Sequence, residues 1–197
     1  MVELSIKAKI HTKLLPILRD LGPLARRELF SVGAASLAST VRSHLRRTGV
    51  GRHNTASRLG SAPTGHILKG AARVTSFSTP NSAIVSVPIA GISRAFHDLT
   101  ITAKKANNLT IPVAAASYGH RVRELKRMGW TVFTPKGRDF IMGKQAGDKE
   151  PTLLYAIKKQ VVIRQDRSLL PSDADVTKSI NLAIGKSIEQ HLRRRTA

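Results

Sequence analysis

The sequence predicts an α+β fold: a small, mainly antiparallel sheet flanked by a long helix in the N-terminal half and a second helix at the C-terminus. Three observations predict it. Residues 24–47 carry apolar side chains at spacings of three to five, short β-prone runs punctuated by Pro or Gly fill 71–170, and residues 171–197 repeat an apolar residue every fourth position. At 197 residues the chain is expected to form a single domain around one core, since domains hold roughly 100 to 200 residues. That core should be aliphatic, because 41% of the chain is hydrophobic and only 4% aromatic.

Residues 1–23 read as an arm or as short elements interrupted at Pro16. The stretch LARRELFSVGAASLASTVRSHLRR then places Leu29, Val32, Leu37, Val41 and Leu45 close to the helical period, predicting a helix over 24–47. Gly33 weakens its middle and Gly49 suits its end. Residues 48–70 are rich in Gly, Ser, Thr and Asn, have no hydrophobic period and carry Arg52, Arg58 and Lys69. They read as a long basic loop, of the kind that is functional or orders only on binding.

Within 71–170, the runs 73–78 and 83–89 predict two strands joined at Pro80-Asn81, with Pro88 at an edge or strand end because it cannot donate to a ladder. Leu109 to Val113 predicts another short strand, and 116–128 a short helix ended by Gly129. Pro135-Lys136-Gly137 lies between two β-prone runs and signals a hairpin. In 153–165 the alternation of Leu153, Tyr155 and Ile157 and the Val161-Val162-Ile163 triplet favour strand. The last helix is expected within 171–197, with Ser172 or Asp173 as cap, acids in its first turn and Val176, Ile180, Ile184, Ile188 and Leu192 along one stripe. A basic tail, Arg193 to Arg195, ends it.

Charge narrows the function. The chain holds 33 Lys and Arg against 12 Asp and Glu, a formal charge of +21, and such self-repulsion calls for a polyanion or an acidic neighbour. Between Glu28 and Asp98 there is no acid, whereas Arg42, Arg46, Arg47, Arg52, Arg58, Lys69, Arg73 and Arg94 are all cationic. A solvated face would serve as well with mixed signs, so Arg46, Arg47, Arg52, Arg58 and Lys69 are read as a surface for a partner or for DNA. A second polar cluster, Lys104, Lys105, Asn107 and Asn108, directly precedes the Leu109–Val113 strand. It reads as an interface arm anchored by that strand, or as an ordinary exposed turn.

Chemistry finds less support. There is no cysteine, which removes disulfides, thiolate metal sites and a Cys nucleophile. The seven histidines are dispersed, and none forms an HxH, HxxxH or HExxH arrangement. The adjacent pair His97-Asp98 would point to opposite faces of a strand. Neither TGVG nor SAPTG has the glycine spacing of a phosphate-binding loop, and the scarcity of aromatics argues against a base-stacking platform. The expectation is a protein that is not an enzyme, with no cofactor and no metal. No apolar window approaches the roughly 18 to 20 residues that cross a bilayer, so no membrane partner is expected.

Taken in order, Thr64-Gly65 with Leu68, Lys104-Lys105 with Leu109-Thr110-Ile111-Pro112, Tyr118-Gly119-His120-Arg121 and Leu170-Pro171 resemble the virion-morphogenesis and tail-completion proteins of tailed phages. The resemblance spans about residues 24–190. It implies a structural subunit of the head–tail junction, a ring of six around the DNA channel, located in the virion neck and assembled in the host cytoplasm. The implied partners are sister subunits, a head-side connector or adaptor, tail-tube or terminator proteins, and the DNA in the channel. The alternative is a basic nucleic-acid-binding protein of ribosome-associated or nucleoid type, in which the loop and Arg193, Arg194 and Arg195 neutralise phosphates.

Overall fold

The structure is a computed structural model that describes residues 3–4, 21–49, 54–104 and 106–196. Its class is α+β, with helices and small antiparallel sheets. The chain was expected to gather around one core; it divides into two compact units with separate apolar clusters. Unit 1 comprises residues 1–50, 65–97 and 166–197, and unit 2 comprises 51–64 and 98–165.

Unit 1 is organised by helix α1, Pro23–Gly49. Proline suits the first helical position, where its missing N–H would have no partner, and its fixed φ is already helical. Leu29, Gly33, Ala34, Leu37, Ala38, Val41 and Leu45 are buried along one stripe. Val32, placed on the stripe by spacing alone, is 38% exposed and lies off it. Gly33 allows close approach by the C-terminal helix α5, Asp173–Thr196, whose Val176, Ile180, Ile184 and Ile188 are buried as their spacing predicts. A Cβ on Gly33 would sit 3.4 Å from Ile184 Cδ1 and 3.5 Å from Ile180 Cγ2, so this glycine marks the helix contact as well as weakening the helix.

The start of α5 follows its sequence. Ser172 Oγ accepts from Asp175 N at 3.2 Å and donates to the Asp175 carboxylate at 2.7 Å, which satisfies a free N–H at the helix start and places acid at the positive end of the dipole.

Against α1 also lies a three-stranded antiparallel sheet of order β1-β3-β2, formed by β1 (Glu3–Leu4), β2 (Thr75–Thr79) and β3 (Ser82–Ser86). Thr79 pairs with Ser82 across Pro80-Asn81, the turn that the sequence predicts, and Pro88 falls beyond the strand's end. The expected opening element around Pro16 lies outside the described residues. In the segment read as a basic loop, the structure shows two short helices, α2 (Asn54–Arg58) in unit 2 and α3 (His66–Ala71) in unit 1. Each is shorter than two turns, too short to show a hydrophobic period.

The 98–165 part of unit 2 begins and ends as a two-stranded ribbon, β4 (Leu99–Thr102) paired with β9 (Gln160–Ile163). Between them a four-stranded antiparallel sheet has the order β5-β8-β7-β6, with β5 Leu109–Pro112, β6 Thr131–Phe133, β7 Phe140–Lys144 and β8 Thr152–Lys158. The β6–β7 hairpin turns at Pro135-Lys136-Gly137 as expected, with Gly137 at φ 73° and Arg138 N donating to Pro135 O. Leu125, Ile141, Leu154 and Tyr155 form the buried centre of this unit.

The helix expected over 116–128 is shorter. Ala115–Ser117 make a 3-10 turn, and helix α4 runs only over Val122–Arg127. Gly119 at φ 80° breaks the chain between them. The turn so made is fixed from below: Tyr155 Oη donates to His120 O at 2.9 Å, and buried Ser117 Oγ donates to Leu154 O at 2.6 Å.

Candidate functional site

The cations of the acid-free stretch between Glu28 and Asp98 differ in their surroundings. Arg42 turns inward, its guanidinium donating to Val74 O from Nε at 3.3 Å and from Nη2 at 2.9 Å. Arg94 pairs with Asp166 at 3.3 Å while Asp166 N donates to Arg94 O. These two arginines hold unit 1 together. Arg46, Arg47 and Lys69 are exposed on unit 1, Arg58 is exposed on unit 2, and Arg52 lies outside the described residues. Of the four of these cations whose side chains are described, Arg46, Arg47 and Lys69 belong to unit 1 and Arg58 to unit 2. Arg193 is exposed on the last turns of α5, and the side chains of Arg194 and Arg195 lie outside the described part.

Along α1 and α5 in unit 1 runs a groove of about 690 Å³. Its hydroxyls are largely engaged with each other: Ser179 Oγ lies 2.7 Å from both Ser36 Oγ and Thr40 Oγ1, so these side chains tie the two helices. Arg47, Lys178 and Lys186 line it together with one acid, Asp175.

The interface arm is on the surface. Lys104, Asn107 and Asn108 are exposed, while Lys105 lies outside the described residues. The ladder gives the arm a neighbour that sequence reasoning missed. Thr102 pairs with Gln160 and Leu109 pairs with Lys158, so six residues of sequence, 103–108, separate paired positions that on the other strand are separated only by Lys159, at which β8 bends into β9. Lys158 and Lys159 are also exposed.

Two acids flanking the segment, Asp98 and Glu124, each accept from a backbone N–H. Asp98 Oδ1 accepts from Gln165 N at 2.6 Å, at the far end of the ribbon. Glu124 accepts from Arg121 N at 2.8 Å, a bond that holds its carboxyl below the ordinary value of 4.5, with the nearby Arg121, His120 and Arg123 acting in the same direction against burial. Burial raises the Tyr155 phenol above its ordinary 10.0, with a further push from Glu124. Both perturbed groups belong to the turn around Gly119 and have structural partners. Among the described residues no group of three or more His, Asp or Glu could hold a metal ion, and no helix is long and apolar enough to cross a membrane.

Of the stretches that carry the phage resemblance, Leu109–Pro112 is β5, Tyr118-Gly119-His120-Arg121 is the turn before α4, Thr64-Gly65 leads into α3 and Leu170-Pro171 precedes α5. No protein-family model matches the chain, and neither the curated proteins nor the solved structures searched contain a match.

Proposed function

We propose that this chain is a structural subunit of the head–tail junction of a tailed phage, a tail-completion or connector protein that assembles as a ring around the DNA channel and performs no chemistry. The observation that carries the reading is the distribution of charge. Unit 2 holds 15 Lys and Arg against 5 Asp and Glu, and unit 1 the remaining 18 against 7. Neither unit balances the other, so the surplus is relieved between molecules.

Short edge strands and projecting segments fit a subunit that is completed by neighbours. Strand β2 is an edge of its sheet and leaves Phe77 45% exposed, and Lys104, Asn107 and Asn108 are exposed polar side chains between β4 and β5. Unpaired strand edges are natural sites for pairing with another chain.

Replacing Arg46, Arg47, Arg52 and Arg58 with Ala tests the reading in infected cells. Arg46, Arg47 and Arg58 are exposed, so the subunit is expected to fold while joining of heads to tails fails. An unchanged yield of infectious particles would contradict the proposal.

A second reading, a basic nucleic-acid-binding protein of ribosome-associated or nucleoid type, draws on the pairing of cationic segments in unit 2. It requires a chain that remains monomeric and binds duplex DNA with an affinity falling steeply with salt.

A further inference from the structure

We propose that the 103–108 arm and the β8–β9 bend together form one contact site for the phosphate backbone of nucleic acid, with Lys104, Lys158 and Lys159 as its cations and Asn107 and Asn108 as neutral donors. The inference rests on the reading of the chain as a subunit beside DNA, and it adds to the surface of Arg46, Arg47, Arg52 and Arg58 a DNA contact at a single corner of unit 2.

Register makes the site. Residues 99–123 contain no acid, and neither do residues 151–165. The two segments lie 28 or more residues apart in sequence, yet the β4–β9 and β5–β8 ladders lay them side by side, with backbones about 4.8 Å apart. The fold thus adds one acid-free segment to another. Pairing stops on both sides of Lys159, since Thr102 is matched to Gln160 and Leu109 to Lys158. Six residues against one is far more than the one extra residue of a β-bulge, so the arm separates two ladders, β4–β9 and β5–β8, that meet on the other side at Lys159. The acid brought in from the β7 side is Asp139, whose backbone carbonyl accepts from Ile157 N at 2.8 Å.

The residue types favour phosphate over bases and over a protein groove. Lysines act as point charges on phosphate, and asparagine amides donate to phosphate oxygens; both fix a backbone without reading sequence. No aromatic residue occurs in 99–117, and in 151–165 Tyr155 is 1% exposed, so nothing there is available for a base to stack on. The exposed apolar side chains of the ribbon, Ile101 and Val162, sit one register step apart, Ile101 opposite Val161 and Val162 opposite Thr100, and so on opposite faces, where they do not combine into an anchor pocket.

The test is a salt titration of binding to a short random-sequence DNA duplex, comparing the full chain with the triple variant K104Q/K158Q/K159Q. A matched triple, K126Q/K136Q/K149Q, removes the same charge from exposed positions elsewhere in unit 2. Each phosphate contact contributes roughly 0.9 to the slope of log affinity against log salt, so the corner triple is expected to lower the slope by about 2 to 3 and weaken binding about 10-fold or more at low salt. The matched triple is expected to change the slope by less than half as much. Equal losses in the two triples would show diffuse attraction and overturn the site. Unchanged DNA binding, with loss of binding to polyglutamate in the corner triple alone, would assign the corner to an acidic protein and overturn it equally. The mass of each sample, read by light scattering, keeps the two proposals apart: the corner triple is expected to retain the wild-type assembly state, and a wild-type chain that stays monomeric would count against the ring, not against the corner.

Discussion

Replacing Gly70 with Val is expected to destabilise unit 1 by about 3 kcal/mol, the upper end for overpacking a core. Gly70 is buried in α3, and a Cβ there would run into Ile89 Cγ1 and lie 2.9 Å from Ile89 Cδ1 and 3.4 Å from Ile89 Cβ. Ile89 is itself 8% exposed and belongs to the cluster that includes Ile67, Val87 and Ile92, so it has little room to withdraw. The clash involves one side chain, which makes it separable. Ile89→Ala alone creates a cavity and costs about 2 to 5 kcal/mol, but it vacates the space that a larger side chain in place of Gly70 would occupy. The double variant is therefore expected to be more stable than the sum of the single losses by at least about 1 kcal/mol. Urea unfolding of the four proteins measures this coupling, and strictly additive losses would contradict the packing described.

Leu154→Ala is expected to cost about 2 to 5 kcal/mol, and to do so locally. Leu154 is fully buried in a cluster whose other buried members are Leu125, Ile141 and Tyr155. Its backbone also accepts from Val113 N at 2.9 Å and from Ser117 Oγ at 2.6 Å. Truncation at the centre of so small a cluster removes a large fraction of its apolar burial. Because unit 1 has a separate core around Leu37, Val41 and Leu45, amides of α1 and α5 are expected to keep their hydrogen-exchange protection while amides of β5, β7 and β8 lose theirs. Equal loss of protection in both units would show one cooperative core and contradict the division.

These two sites illustrate what was and was not legible in the sequence. Periodic elements were: α5 follows from Val176, Ile180, Ile184 and Ile188, and the hairpins follow from Pro80-Asn81 and Pro135-Lys136-Gly137, because these signals lie within one element or one turn. Gly70 carries no such signal. Its importance comes from Ile89, which reaches it only through the fold. The division into two units was hidden for a similar reason: the chain leaves unit 1 after Val50 and again after His97, and returns at Gly65 and at Asp166. Two of these crossings lie inside 48–70, which reads as one loop of a single domain, and the other two, at His97-Asp98 and Gln165-Asp166, carry no Gly- or Pro-rich linker.

The candidate site was half visible. The arm stands out as Lys104, Lys105, Asn107 and Asn108 before an apolar run, but its partner Lys158-Lys159 looks like an unremarked pair inside a strand until the register is known. Conversely, Arg42 and Arg94 look like free surface cations in an acid-free segment. They prove to be held by Val74 O and by Asp166, contacts across 32 and 72 residues that charge patterning does not see.

The central claim is that the cationic excess is relieved between subunits of an assembly. Native mass spectrometry of the purified full chain at low and moderate salt, alone and with a short DNA duplex, tests it most directly. One closed oligomer is expected, with a mass six times 21.4 kDa. A chain that stays at monomer mass in all of these conditions would contradict it.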